Sequence, residues 1–139
     1  MNRKKSKKKP KKIHYNVEIP NNREAEKNLI SGILFNPEIL QDVSNALDIN
    51  DFYSEDHRLI YKTLLEMREE NKSISILSLK EELGKKELLD KIGDEVFDDV
   101  VTPAALHTKP ENHIEVIKRN SVHRKIIENS EDIINQSLE

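Results

Sequence analysis

The chain has 139 residues, 35% hydrophobic and 35% charged, with no cysteine. That length suits one domain rather than two, and the missing cysteines exclude a disulfide scaffold or a thiolate-bound metal and fit a reducing cytosol. The net charge of −3 hides an asymmetry: eight of the 23 basic residues lie in the first 12 positions with no acidic residue among them, leaving an acidic body near −11.

Residues 1–19 read as a disordered basic tail, because a lysine run repels itself and has nothing to bury. Lys4, Lys5, Lys7, Lys8, Lys9, Lys11 and Lys12 are either a phosphate-binding arm, steeply salt-dependent, or a solvated extension. No aromatic residue is interleaved among them to stack on bases. From Arg23 to Leu34, the positions Ala25, Leu29, Ile30, Ile33 and Leu34 have helical spacing, and Asn22 is a suitable N-cap. Glu24 and Glu26 occupy the first turn, where the helix dipole favours negative charge. Two residues apart, they point to different faces, so they read as solvated dipole partners and not as a catalytic carboxylate pair. Asp98-Asp99 reads the same way. Gly32 costs this helix about 1 kcal/mol against Ala, which suggests a close helix–helix approach there.

Asn36-Pro37 restarts a helix in the order cap then proline, with Ile39, Leu40, Val43, Ala46 and Leu47 on its apolar face. Asp48 to Ser54 is a loop with Phe52 and Tyr53 tucked beneath it. Ser54 caps a third helix, Glu55 to about Glu70, whose inner positions are Leu59, Ile60, Leu64 and Met67. Ser75 caps a fourth, Ile76 to Leu83, closed by Gly84 as a left-handed terminal residue. A short turn over Glu87–Ile92 ends at Gly93. Asp94 caps a further helix that buries Val96, Phe97, Val100 and Val101, and Thr102-Pro103 stops it. Pro110 opens a long final helix to about Ser137, roughly 40 Å at 1.5 Å per residue. A small globule cannot cover such a helix, so part of its apolar stripe should meet another surface.

Chemistry is scarce. A metal-binding pair on one helix face needs a spacing of three or four, and His14, His57, His107, His113 and His123 do not supply it. His57 reads as structural, beside Phe52 and Tyr53. Ser31 lies within a buried stripe, and no serine–histidine–acid arrangement has local support. No apolar run approaches the roughly 18 residues of a membrane span, and no apolar segment follows the basic N-terminus to make a secretory signal. A cytoplasmic location is therefore expected.

One resemblance is carried by order and spacing. Pro20, Glu24-Ala25-Glu26, Leu29 to Leu34, Asp51-Phe52-Tyr53 with His57, and Ile74-Ser75 with Ser78-Leu79 are followed by Leu89-Asp90-Lys91-Ile92-Gly93-Asp94, Thr102-Pro103 and Arg124-Lys125-Ile126-Ile127. Over about residues 20–136 this resembles the N-terminal domain of the bacterial replicative DNA helicase, the DnaB type. Ser75 stands for an aspartate of that pattern, Asp94 for a second glycine, Phe97 for a tyrosine and His113 for another tyrosine. The loop around residues 104–113 is longer than usual.

The resemblance implies an all-α fold: a small orthogonal helical bundle (20–103), then a loop and long helix (104–139) forming the first arm of a helical hairpin. It implies a collar or interaction domain with no catalytic activity of its own. Such a domain supports ring assembly through self-association and recruits primase, with a helicase loader and DNA as further partners. No cofactor is expected in this chain. ATP and Mg belong to a RecA-like motor, whose Gly-rich phosphate loop has no counterpart here. Ile117, Val122, Ile126, Ile127, Ile133 and Ile134 are the expected interface residues, and with one hairpin arm the chain is expected to be a monomer or weak dimer. The alternatives are a nucleic-acid binder acting through the lysine tail, and a stand-alone helicase partner or inhibitor that mimics the collar.

Overall fold

Asn22 turns the chain into its first helix: its side chain accepts a bond from the Ala25 N–H at 2.9 Å, and α1 runs Arg23–Phe35. In the computed structural model, which describes residues 17–103 and 109–139, six more helices follow. They are α2 (Leu40–Ala46), α3 (Glu55–Glu69), α4 (Ile76–Lys85), α5 (Leu89–Ile92), α6 (Asp94–Val101) and α7 (Pro110–Ser137). Short 3-10 turns at Pro37–Ile39 and Ile49–Asp51 lead into α2 and towards α3. No strand occurs among the described residues, so the all-α expectation holds.

Helix α1 is the hub, packing against α3, α6 and α7. Its Leu29, Ile30 and Ile33 are buried with Leu40 and Val43 of α2, Ile60 and Leu64 of α3, Leu79 and Leu83 of α4, and Val100 of α6. Each such side chain contributes about 1.5–3 kcal/mol on full burial. Tyr61 adds a tilted contact with Phe52, ring centroids 4.7 Å apart, and donates its hydroxyl to the Leu47 carbonyl at 2.8 Å. Burial pushes that phenol up to about 12. The Ser31 hydroxyl, also buried, donates to the Thr102 carbonyl at 2.6 Å and ties the end of α6 to α1.

Four local expectations need correction. Ala46 is exposed, because α2 is a single short helix that turns only Leu40 and Val43 inward. Asp94 is the first residue of α6, and Gly93 stands at its cap. Gly32 has no close backbone neighbour: a Cβ there would meet Ile39 Cδ1 at 3.5 Å, an ordinary contact. Gly32→Ala is therefore expected to stabilise the domain by about 0.5–1 kcal/mol, read as a higher urea midpoint at unchanged m-value.

Gly84, the fourth, lies inside α4 and does not close it. Helices α3 and α4 both end in a Schellman pattern. Lys72 N–H bonds the Met67 carbonyl at 2.8 Å and Asn71 N–H the Arg68 carbonyl at 3.0 Å; Leu88 N–H bonds Leu83 at 2.9 Å and Glu87 N–H bonds Gly84 at 3.1 Å. The pattern needs a left-handed residue, and these are Asn71 at φ 56° and Glu87 at φ 59°. Asn tolerates that region; Glu carries a Cβ that strains it by about 1 kcal/mol. Glu87→Gly should relieve the strain, partly offset by a more flexible unfolded chain. The expected net gain is about 0.5 kcal/mol, measured by chemical denaturation.

Candidate functional site

The first half of α7 lies on the globule, held by a carboxylate from the Asp48–Ser54 loop. Asp51 is 1% exposed. Its Oδ1 accepts the Ser121 hydroxyl at 2.6 Å, and its Oδ2 accepts the Asp48 N–H at 2.7 Å and the Lys118 ammonium at 3.3 Å. Lys125 stands 4.0 Å from Oδ1. Arg124 donates to the Asp51 carbonyl at 2.7 Å and the Pro20 carbonyl at 2.9 Å, with its guanidinium 5.4 Å above the centre of the Tyr53 ring. Positions 118, 121 and 125 recur at helical spacing, so one face of α7 presents all three groups to one loop.

A second buried carboxylate holds the other end of that loop. Glu26, 2% exposed, accepts the Tyr53 N–H at 2.6 Å and the Ser54 N–H at 3.2 Å. His57 Nδ1 meets the same carboxylate at 2.9 Å. With two backbone donors already directed at the carboxylate, Nδ1 carries the proton of this contact. Glu26 is thus an anchor and not the solvated dipole partner expected; Glu24 is exposed as expected. Phe52 is buried, but Tyr53 is 39% exposed and is not tucked under the loop. Adjacent residues in extended backbone point to opposite sides, so only one ring can enter the core.

Of the expected interface residues, Ile117 is 2% exposed and packs in the chain's own core, which removes it from any outward face. Ile127 is half-buried. Val122, Ile126, Ile133 and Ile134 are exposed, Ile126 at 56% and Ile133 at 62%. Lys4, Lys5, Lys7, Lys8, Lys9, Lys11 and Lys12 lie outside the described residues, as do His14 and His107. The sequence assigns no anchoring role to Asp51, Ser121, Lys118 or Arg124, and marks Glu26 only as a dipole partner of the first turn. The spacing of Lys118, Ser121 and Lys125 was the available signal for the first three; Glu26 and His57, 31 positions apart, leave none.

His113 is buried on α7, and its Nε2 has no hydrogen-bond partner among the described residues. Burial holds the imidazole below its ordinary value of 6.5. The unfolded chain therefore takes up a proton that the folded chain resists. Stability from this group is complete above the unfolded value and is lost as pH falls through it towards the folded one. His113→Phe is expected to flatten the fall in unfolding free energy as pH drops through 6.5 and below, measured by urea denaturation at each pH. Among the described residues, no three His, Cys, Asp or Glu side chains are grouped to hold a metal ion. No helix of these residues is long and apolar enough to cross a membrane.

Residues 18–119 match the family model of the DnaB-like helicase N terminal domain. A probable replicative DNA helicase of Trieres chinensis is 34% identical over 128 residues, covering 87% of this chain and 28% of that protein. The replicative DNA helicase DnaB of Buchnera aphidicola is 28% identical over 123 residues, covering 85% of this chain and 26% of the relative. The chain thus spans about a quarter of the length of these curated relatives. Among solved structures, the N-terminal domain of DnaB helicase from Mycobacterium tuberculosis superposes with a TM-score of 0.82 at 18% identity, over 88% of this chain and 89% of that one. The N-terminal domain of DnaB helicase from Helicobacter pylori, studied with its interactions with primase, superposes with a TM-score of 0.76 at 22% identity, over 84% and 92%. With the family model matching most of its length, this chain belongs to the family of DnaB-like helicase N-terminal domains, the non-catalytic domain of those enzymes.

Proposed function

We propose that this domain is the assembly and docking collar of a replicative DNA helicase, acting in the cytoplasm at the replisome. It self-associates through the distal half of α7 and recruits primase, with a helicase loader and DNA as further partners. In this reading the chain uses no cofactor, ATP and Mg being handled by a motor domain.

The distal half of α7 carries the reading. Beyond Arg124 no residue of this helix is buried, yet Ile126, Ile133, Ile134 and Leu138 remain exposed there, as does Val122 just before. At about 100° per residue, Val122, Ile126 and Ile133 fall on one line, and Ile127, Ile134 and Leu138 on a second about 120° around the helix. A stripe of that width suits helix-on-helix burial against more than one neighbour. The relation to the primase-binding relative supports the partner.

Two measurements test this. Sedimentation velocity at rising concentration should show weak self-association that the Ile126→Asp/Ile133→Asp variant abolishes, because burying unpaired carboxylates at an interface is costly. Its melting curve should stay unchanged, since neither residue is in the core. Immobilised primase C-terminal domain should retain the wild-type chain. A chain that stays monomeric throughout, and is not retained, would sink the proposal.

A further inference from the structure

The Asp48–Ser54 loop, the start of α3 and the middle of α7 enclose an open groove of about 560 Å3 lined by Arg23, Arg58, Arg124, Lys125, Tyr53 and the acids Glu55 and Glu128, among others. The four cations outnumber the acids further than the count suggests, because Glu55 is already paired with Lys91 at 3.2 Å. Arg124 is fixed in place by two carbonyls and the Tyr53 ring. Among the described residues, Arg23 and Arg58 have no ion-pair partner, and Lys125 reaches only the already satisfied Asp51 at 4.0 Å. On a body near −11 outside the tail, this groove is a local inversion of charge.

We propose that the groove binds a carboxylate-rich segment of a partner protein. Two unengaged guanidinium forks match carboxylates in bidentate geometry, and a third, Arg124, is held in place before binding and needs no further ordering. A short acidic segment suits the site better than a nucleic acid. The acidic body repels a long polyanion. Glu128 interrupts a phosphate track, and one face of Tyr53 is already covered by Arg124, which removes half of a stacking platform. The groove lies across α7 from the Val122, Ile126 and Ile133 line, so it stands independently of the self-association proposed above.

Fluorescence anisotropy on the full chain at low salt tests it, with a labelled oligoglutamate peptide and a labelled oligothymidylate as probes. The Arg23→Ala/Arg58→Ala variant is compared with Lys62→Ala/Lys80→Ala, which removes the same charge from exposed positions elsewhere. Oligoglutamate is expected to bind, to weaken about tenfold in the groove variant, and to change less than about twofold in the control, with both variants melting like wild type. Three results would each overturn the proposal: no oligoglutamate binding; equal loss in both variants, which assigns the effect to overall charge or to the tail; or loss confined to oligothymidylate, which makes the groove a nucleic-acid site.

Discussion

Asp51→Ala is expected to destabilise the domain by about 3 kcal/mol, because it strips a buried carboxylate from three donors at once. The Ser121 hydroxyl, the Asp48 N–H and the Lys118 ammonium all lose their acceptor. Burial by itself would raise the carboxyl above 3.8, but the Ser121 and Asp48 bonds and the Lys118 charge more than offset it and hold it below that value. The folded state therefore favours the ionised form. Its contribution is complete above 3.8 and is lost as pH falls through the folded value, a window below that of His113. Asp51→Asn keeps the shape and loses the charge, so an intermediate cost is expected. In a double-mutant cycle, Asp51→Ala with Ser121→Ala should show a coupling of about 1–2 kcal/mol. Amide exchange along α7 should rise in Asp51→Ala before it rises in α3, since this carboxylate is what docks the long helix. A cost below about 1 kcal/mol would mean that the apolar packing around Ile117 and the Arg124 bonds to backbone carbonyls hold the helix down without it.

The elements were legible because their signals are local. Asn22, Ser54 and Ser75 accept backbone bonds at the starts of α1, α3 and α4, and Pro110 opens α7, as their side-chain chemistry dictates. The exposed stripe of α7 was legible for a different reason: a 28-residue helix is longer than a globule of this size can cover. What the sequence concealed is nonlocal. Gly84 is the obvious left-handed stop by composition, yet the helix runs one residue further and the strain falls on Glu87. The place where Leu88 can pack onto the core, and not glycine preference, fixes the stop. Ile117 and Ile126 look alike in a helical pattern, and only the position of the globule's edge separates a core residue from a surface one. Glu26 carries every sign of a first-turn dipole partner. Its burial follows from a loop some 27 positions later folding over the start of α1.

Glu26→Gln is expected to cost about 2–3 kcal/mol, more than the loss of its side-chain partner in His57→Ala corrected for the cavity that truncation leaves. The carboxylate receives three donors, from Tyr53 N–H, Ser54 N–H and His57 Nδ1. A glutamine keeps one acceptor oxygen and turns an NH2 group towards donors that need an acceptor. One backbone N–H is then left buried and unpaired, which no side-chain rotation repairs. The consequence should reach beyond the pair. Glu26 holds one end of the Asp48–Ser54 loop to α1, and Asp51 holds its middle to α7, so the loop is clamped from two helices. If it acts as one unit, loosening either clamp frees the backbone that the other grips, and Glu26→Gln with Asp51→Ala should cost less than the sum of the two alone. Denaturation of the four proteins measures this. Additivity within about 0.5 kcal/mol would show two independent anchors that merely share a loop.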